Sequence, residues 1–198
     1  MEVKTIISEQ MGQNCYLLKE GERGILIDPG IDTFKILRET ENIQINYILL
    51  THCHYDHLWS LNEIRRRKKV LTSKLCGVNM INPEISLCEK EILPRSSGDR
   101  IFSDGEEKNL DGIRVKCIYT PGHTDGSACF LAGNSLFSGD TLFAGSVGRW
   151  DLPTGNYEKL KNSVEKLYAL PDITKVYPGH GPSTTIGEEK KNGYFRIN

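Results

Sequence analysis

The chain carries five histidines, and their placement constrains the fold more than any other feature. His52, His54 and His57 stand with Asp56 in "THCHYDHLWS", directly after the apolar run "INYILL". His123 and His180 close the near-duplicate segments "TPGH" and "YPGH". Ionisable groups at the end of a buried strand lose hydration free energy unless a partner compensates them. On extended backbone, residues i and i+2 point the same way, so His52 and His54 can meet one cation. Asp56 and His57 fall where strand gives way to helix, and the turn of the chain aims them at a second point nearby. Asp140 ends the strand-like segment "NSLFSGD" as Asp28 ends "GILID". Five imidazoles with Asp56 and Asp140 exceed what one tetrahedral ion needs. They suit two adjacent ions that share a carboxylate, typically ~3.5–4 Å apart. Imidazole with carboxylate favours zinc, with iron or manganese as alternatives. A closed structural zinc site would use four ligands, usually with cysteines among them, and accounts for this set less well.

The rest of the sequence frames that constellation. "VKTII", "NCYLLK", "GILID" and "INYILL" read as short strands, and "TFKILRET" as a short helix. Leu58, Leu61 and Ile64 recur at helical spacing, which predicts a helix from about His57 that continues into "RRRKK" with its charges solvated. "DGIRVKCIY" alternates as a half-buried strand, and Tyr157, Leu160, Val164 and Leu167 mark an amphipathic helix ending before Pro171. The pattern is mixed α/β in two similar halves, with helices covering stacked sheets, and it predicts a single domain over residues 1–198. "NPEISLCEKEILPRSSG" reads as an irregular surface excursion without a readable role. With 25 Lys plus Arg against 26 Asp plus Glu, the chain lacks the basic field of a nucleic-acid binder. No run is long enough to span a bilayer and the N-terminus lacks a leader pattern, so a soluble, cytoplasmic protein without membrane partners is expected. The six cysteines include no CxxC pair and are expected to be reduced and mostly buried, Cys53 facing away from its histidine neighbours.

In order, "THCHYDH", "TPGHTDGS", "FSGDTLF" and "YPGHG" are similar to the motifs of the metallo-β-lactamase fold superfamily. The resemblance covers nearly the whole chain and implies an αββα sandwich, two mixed β-sheets flanked by helices. Within that superfamily, "GDTLFAGSVGRWDLPTGN" resembles the compact hydrolases related to glyoxalase II, the hydroxyacylglutathione hydrolases. Carried over, the resemblance assigns one divalent metal to His52, His54 and His123. It assigns a second to Asp56, His57 and His180, with Asp140 bridging both. Asp28 resembles the acid that orients a ligand imidazole. The implied reaction is hydrolysis of a small-molecule thioester, such as a 2-hydroxyacyl thioester of glutathione, by a hydroxide held between the ions. Asp56 and Asp140 would position that nucleophile as the catalytic acids, and Arg149 would grip a substrate carboxylate. The segment after His180 is too short for the basic helical region of the longer glyoxalase II enzymes, which leaves room for a different thiol. His57 and the missing leader set the chain apart from the exported β-lactamases. Three other readings accompany this one. A persulfide dioxygenase would use one iron on His52, His123 and Asp140, a lactonase would use the same hydroxide, and a non-enzymatic metal-binding protein would need a closed site. The sequence is silent on oligomeric state.

Overall fold

Several strands are apolar on both sides because each sheet is covered on both faces. The computed structural model describes residues 1–30, 32–66, 68–89, 93–95 and 98–195. Strands β1 (Glu2–Ile7), β2 (Asn14–Glu20) and β3 (Arg23–Ile27) are antiparallel neighbours. Strands β4 (Gln44–Leu49), β5 (Lys69–Ser73) and β6 (Arg100–Phe102) continue the same six-stranded sheet in parallel. The second half supplies β7 (Glu107–Leu110), β8 (Ile113–Tyr119), β9 (Ala128–Ala132) and β10 (Ser135–Gly139). A small hairpin, β11 (Leu142–Phe143) and β12 (Ser146–Val147), follows, then β13 (Lys175–Pro178) and β14 (Thr184–Thr185). The second sheet runs β14-β13-β10-β9-β8-β7, antiparallel except for the parallel pair β10 and β13.

The period-2 alternation of each strand sorts its side chains between layers. Leu18, Ile25, Ile27, Leu49 and Leu71 of the first sheet meet Val115, Cys117, Phe130 and Phe137 of the second in the central layer. On the outer face of the first sheet, Leu17, Leu26, Ile48 and Val70 pack against Ile36, Leu58, Leu61, Ile64, Cys76 and Met80. Those residues come from or border α1 (Thr33–Glu39), α2 (Tyr55–Leu58), α3 (Leu61–Arg65) and α4 (Lys74–Asn79). A one-turn helix, α5 (Pro83–Ser86), follows α4. On the far side, Cys129, Leu136 and Val176 pack against Leu160, Val164 and Leu167 of α6 (Tyr157–Leu167) and Ile186 of α7 (Ile186–Asn192). The fold is the expected αββα sandwich.

Two expectations need correction. The helix predicted from His57 is broken: α2 ends at Leu58, α3 begins at Leu61 after Ser60 donates to the Gly30 carbonyl, and β5 takes over at Lys69. Of the basic run, Arg65 ends α3 and pairs with Asp99, while Lys69 already lies in a strand; Arg67 is outside the described residues. At Lys69 the helical tendency of the run yields to pairing with Tyr47 of β4, as the start of the sheet's fifth strand. The segment read as irregular holds α5, and Leu87 just after it reaches the cleft described below. Its residues 90–92 and 96–97 are outside the described set.

The topology positions the site. Asp28 follows β3, Thr51–His57 follow β4, His123 follows β8, Asp140 follows β10 and His180 follows β13, all at one edge of the sandwich. Parallel pairing makes neighbours of strand ends that are remote in sequence, so β10 and β13 bring Asp140 beside the His180 loop. Cross-sheet bonds seal that edge: Ala128 N donates to the Thr51 carbonyl at 2.8 Å and Asn14 N to the Gly179 carbonyl at 2.7 Å. Phe130, fully buried and 5.7 Å from Phe102 between ring centroids, joins the sheets beneath it. Phe130→Ala is expected to cost about 3–5 kcal/mol by cavity formation, read as a lower urea midpoint at unchanged slope; a loss under ~1 kcal/mol would contradict this packing.

Candidate metal centre

Seven donors gather at the strand ends in three overlapping groups: His52 with His54 and His123, His52 with His57 and Asp140, and Asp56 with His57 and His180. Within each group the ligand atoms lie within 4.8 Å of one another. Asp140 stands between them. Its Oδ1 is 3.3 Å from His57 Nε2, and its Oδ2 is 3.6 Å from His123 Nε2 and 3.8 Å from His180 Nε2. His180 Nε2 also lies 3.1 Å from Asp56 Oδ2. The structure therefore brings together every ligand expected from the sequence.

The donor chemistry fits cations. His52 Nε2, His57 Nε2 and Asp140 Oδ1 are buried without a hydrogen-bond partner. Orphaned groups of this kind cost about 1–3 kcal/mol each unless something else satisfies them. His123 Nε2 and His54 Nδ1 face each other at 2.8 Å, two ring nitrogens that a shared cation would hold without competition for a proton. The outward-facing atoms are tied to the protein. His123 Nδ1 donates to the Arg149 carbonyl at 2.7 Å, which leaves Nε2 free as a ligand. His57 Nδ1 bonds Asp28 Oδ2 at 3.0 Å. Asp28 is fixed in turn by Thr51, whose N and Oγ1 donate to its two oxygens at 2.8 and 2.7 Å. Asp28 thus orients an imidazole, as its resemblance implied, from a left-handed backbone at φ 50 that is uncommon outside glycine.

Burial and charge divide the cluster. Burial, followed by His123, pushes His54 down to about 3, and burial with the neighbouring imidazoles also holds His52 well below the ordinary histidine value. Burial opposes a charge on His57 too, but Asp56 and Asp140 outweigh it and raise His57 well above that value. The same pairing, against burial, holds Asp140 well below the carboxylate range. Burial also opposes a charge on His180, but its bond to Asp56 outweighs it, so without metal both His57 and His180 favour the protonated form. A raised folded value means that this pairing stabilises fully below the unfolded value of ~6.5 and is lost as pH rises through the folded one. Metal loading at neutral pH is accordingly expected to expel protons from these imidazoles. Titration calorimetry in buffers of different ionisation enthalpy reads this as a slope, and a zero slope would contradict the assignment.

The sequence model of the Metallo-beta-lactamase superfamily matches residues 9–180, the span that includes every one of these ligands. The chain belongs to this superfamily. A probable metallo-hydrolase of Streptococcus pyogenes is 33% identical over 98% of this chain and 90% of its own length. The hydroxyacylglutathione hydrolase GloC of Haemophilus influenzae is 34% identical over 98% of each chain. Among solved structures, the BLEG-1 B3 metallo-β-lactamase is 29% identical, with a TM-score of 0.92 over 100% of both chains. TTHA1623 in a di-iron-bound form is 32% identical, with a TM-score of 0.83 over 97% of this chain and 99% of its own. ETHE1 from Myxococcus xanthus is 27% identical, with a TM-score of 0.82 over 98% of this chain and 84% of its own. With these relatives, the chain is a metal-binding hydrolase of the superfamily. The separation from β-lactamases drawn from His57 does not extend to overall shape, because a B3 enzyme overlays the whole chain.

Several residues that shape this superfamily site were not singled out in the sequence. Asn14 Nδ2 donates to the carbonyls of Pro178 and Gly181 at 3.0 and 2.9 Å, bracketing His180, and Tyr16 Oη donates to Pro178 at 2.6 Å. Gln13 pairs with His180 as an isolated bridge. Gly179 admits no side chain, since a Cβ there would overlap Asp140 Oδ1. Glu189 of α7 is buried and accepts from Gly145 N at 2.9 Å and Thr184 Oγ1 at 2.7 Å, which pins the β11–β12 hairpin over the ligands. The only signal for Asn14 was a polar residue at the head of an apolar strand. Cys53, by contrast, lies in the outer core as expected, fully buried beside Cys15 and Cys76 in the same cluster. Arg149 reaches the rim, where its Nε and a terminal nitrogen each donate to Asp151 at 2.9 Å. Trp150 packs on Tyr157 at 5.2 Å. Asp28→Ala and Asn14→Ala are each expected to weaken metal retention about 10–100-fold. Competition against a chromophoric chelator measures it, and wild-type affinity in either variant would dismiss that residue's role.

Proposed function

We propose that the chain hydrolyses thioesters in the manner of glyoxalase II, with two divalent ions, zinc first and iron or manganese as alternatives. The observation that carries this is the position of Asp140, whose carboxylate lies 3.6 Å from His123 of the first set and 3.3 and 3.8 Å from His57 and His180 of the second. The GloC relative supports the thioester, and the di-iron form of TTHA1623 supports a pair of ions. Divalent ions, when bound, acidify a coordinated water and polarise a carbonyl. The chain's residues supply the orientation. Asp56 and Asp140 are held ionised by the imidazoles beside them, so both can accept a hydrogen bond from the attacking water. Asp28 and the Arg149 carbonyl fix the rings of His57 and His123. A carbon–oxygen bond forms from water, the carbon–sulfur bond breaks, and the thiolate takes a proton. Arg149, on the rim, is the residue nearest to serving as the substrate-facing cation.

A second reading is a mononuclear iron dioxygenase acting on persulfides, favoured by the likeness to ETHE1 and by His52, His123 and Asp140 as a two-histidine, one-carboxylate face. Metal-loaded protein is expected to cleave a 2-hydroxyacyl thioester and to stop on chelation, with Asp56→Asn lowering kcat by ~10²-fold or more. About two metals per chain without thioester cleavage would sink the first reading, and one iron with oxygen uptake would install the second. A β-lactam serves as the control substrate because a water activated at the same site could attack an amide carbonyl.

A further inference from the structure

A cleft of about 380 Å³ opens onto the ligands, and its walls are apolar: Met11, Tyr55, Leu87, Phe143, Val147 and Leu152. These side chains come from separate stretches of the chain, so the lining is assembled by the fold. Among the described residues that line it, Arg149 is the only lysine or arginine. That guanidinium is already held bidentately by Asp151, with both side chains about two-thirds exposed. The Arg149 carbonyl is committed to His123 Nδ1, so the backbone beneath the pair is anchored to the ligand cluster.

Resting on the thioester reading, we propose that the cleft takes a thioester whose thiol portion is apolar and bears no anion, and that Asp151 sets this preference by occupying Arg149. A carboxylate on the substrate would have to displace Asp151, exchanging one bidentate carboxylate pair for another. Exposed pairs of this kind contribute little because water and salt screen them, so the exchange gains almost nothing. The displaced Asp151 would then stand beside the incoming anion. An apolar thiol meets no such competition and gains by burial against Phe143, Leu87 and Leu152. In turnover the carbon–sulfur bond breaks as water oxygen bonds the acyl carbon. The leaving thiolate is protonated to a neutral thiol while the acid departs as carboxylate with a proton to solvent.

The test uses full-length metal-loaded protein and thioesters of one 2-hydroxyacyl group on glutathione, on N-acetylcysteamine and on benzyl mercaptan. The benzyl ester is expected to exceed the glutathione ester about tenfold in kcat/KM, mostly through KM, the ratio that burying about two methylene groups yields. Asp151→Asn is expected to narrow that ratio roughly threefold or more by lowering KM for the glutathione ester. Adding Arg149→Gln should remove the gain. A wild type that prefers the glutathione ester overturns the proposed class, and an unchanged ratio in Asp151→Asn overturns the role of Asp151. Calorimetric binding of the matching thioethers, which cannot be hydrolysed, ranks the same ligands without turnover. Thioethers ranked as expected with no thioester cleaved would remove the thioesterase reading and leave the ligand class standing; the reverse ranking removes the class.

Discussion

The structure depends on a desolvated cluster of five imidazoles and two carboxylates at one edge of a two-sheet sandwich. No single segment can build it. The first sheet delivers His52, His54, Asp56 and His57 from the end of β4, and the second delivers His123, Asp140 and His180 from the ends of β8, β10 and β13. The sheets must therefore meet with their strand ends in register. Cross-sheet hydrogen bonds, Ala128 to Thr51 and Asn14 to Gly179, stand directly beside the ligands and fix that alignment. The apolar layer between the sheets supplies free energy, and the polar edge supplies uniqueness.

That edge is also where local preferences are overruled. Asp28 adopts a left-handed backbone so that its carboxylate can serve Thr51 and His57 together. Gly179 must lack a side chain because Asp140 and His57 occupy the space. The stretch from Tyr55 to Arg65 is apolar at helical spacing, yet it breaks at Trp59–Ser60. The first fragment presents Asp56 and His57 to the site, while the second buries Leu61 and Ile64 against the first sheet. Sites that violate local rules are where function is expected to reside. Around them, the walls come from weakly patterned segments such as the β11–β12 hairpin and the turn at Leu87.

The gathered donors and the layered class were legible in the sequence because both rest on local patterns. HxH on a strand, DH at a strand-to-helix turn, and alternation in "RVKCIY" each follow from backbone geometry within a few residues. Short elements were less legible. Strands β5, β6 and β7 and helices α4 and α5 carry weak periodicity, and pairing partners decide them. The supports of the ligands were hidden for the same reason. Asn14 lies 164 positions from the Pro178 carbonyl it holds, and nothing near either residue announces the bond.

By itself, the sequence determined the chemistry that could be housed: which side chains can offer donors to cations, and on which kinds of element. Tertiary structure alone decided how those donors divide. Asp140 turns one oxygen toward His57 and the other toward His123 and His180, and Asp28 fixes the ring of His57. It also decided that Arg149 meets Asp151 on an apolar cleft. The reason is physical: donor identity is a property of single residues, whereas bridging, ring orientation and charge neutralisation are distances across space that only the packed sheets set.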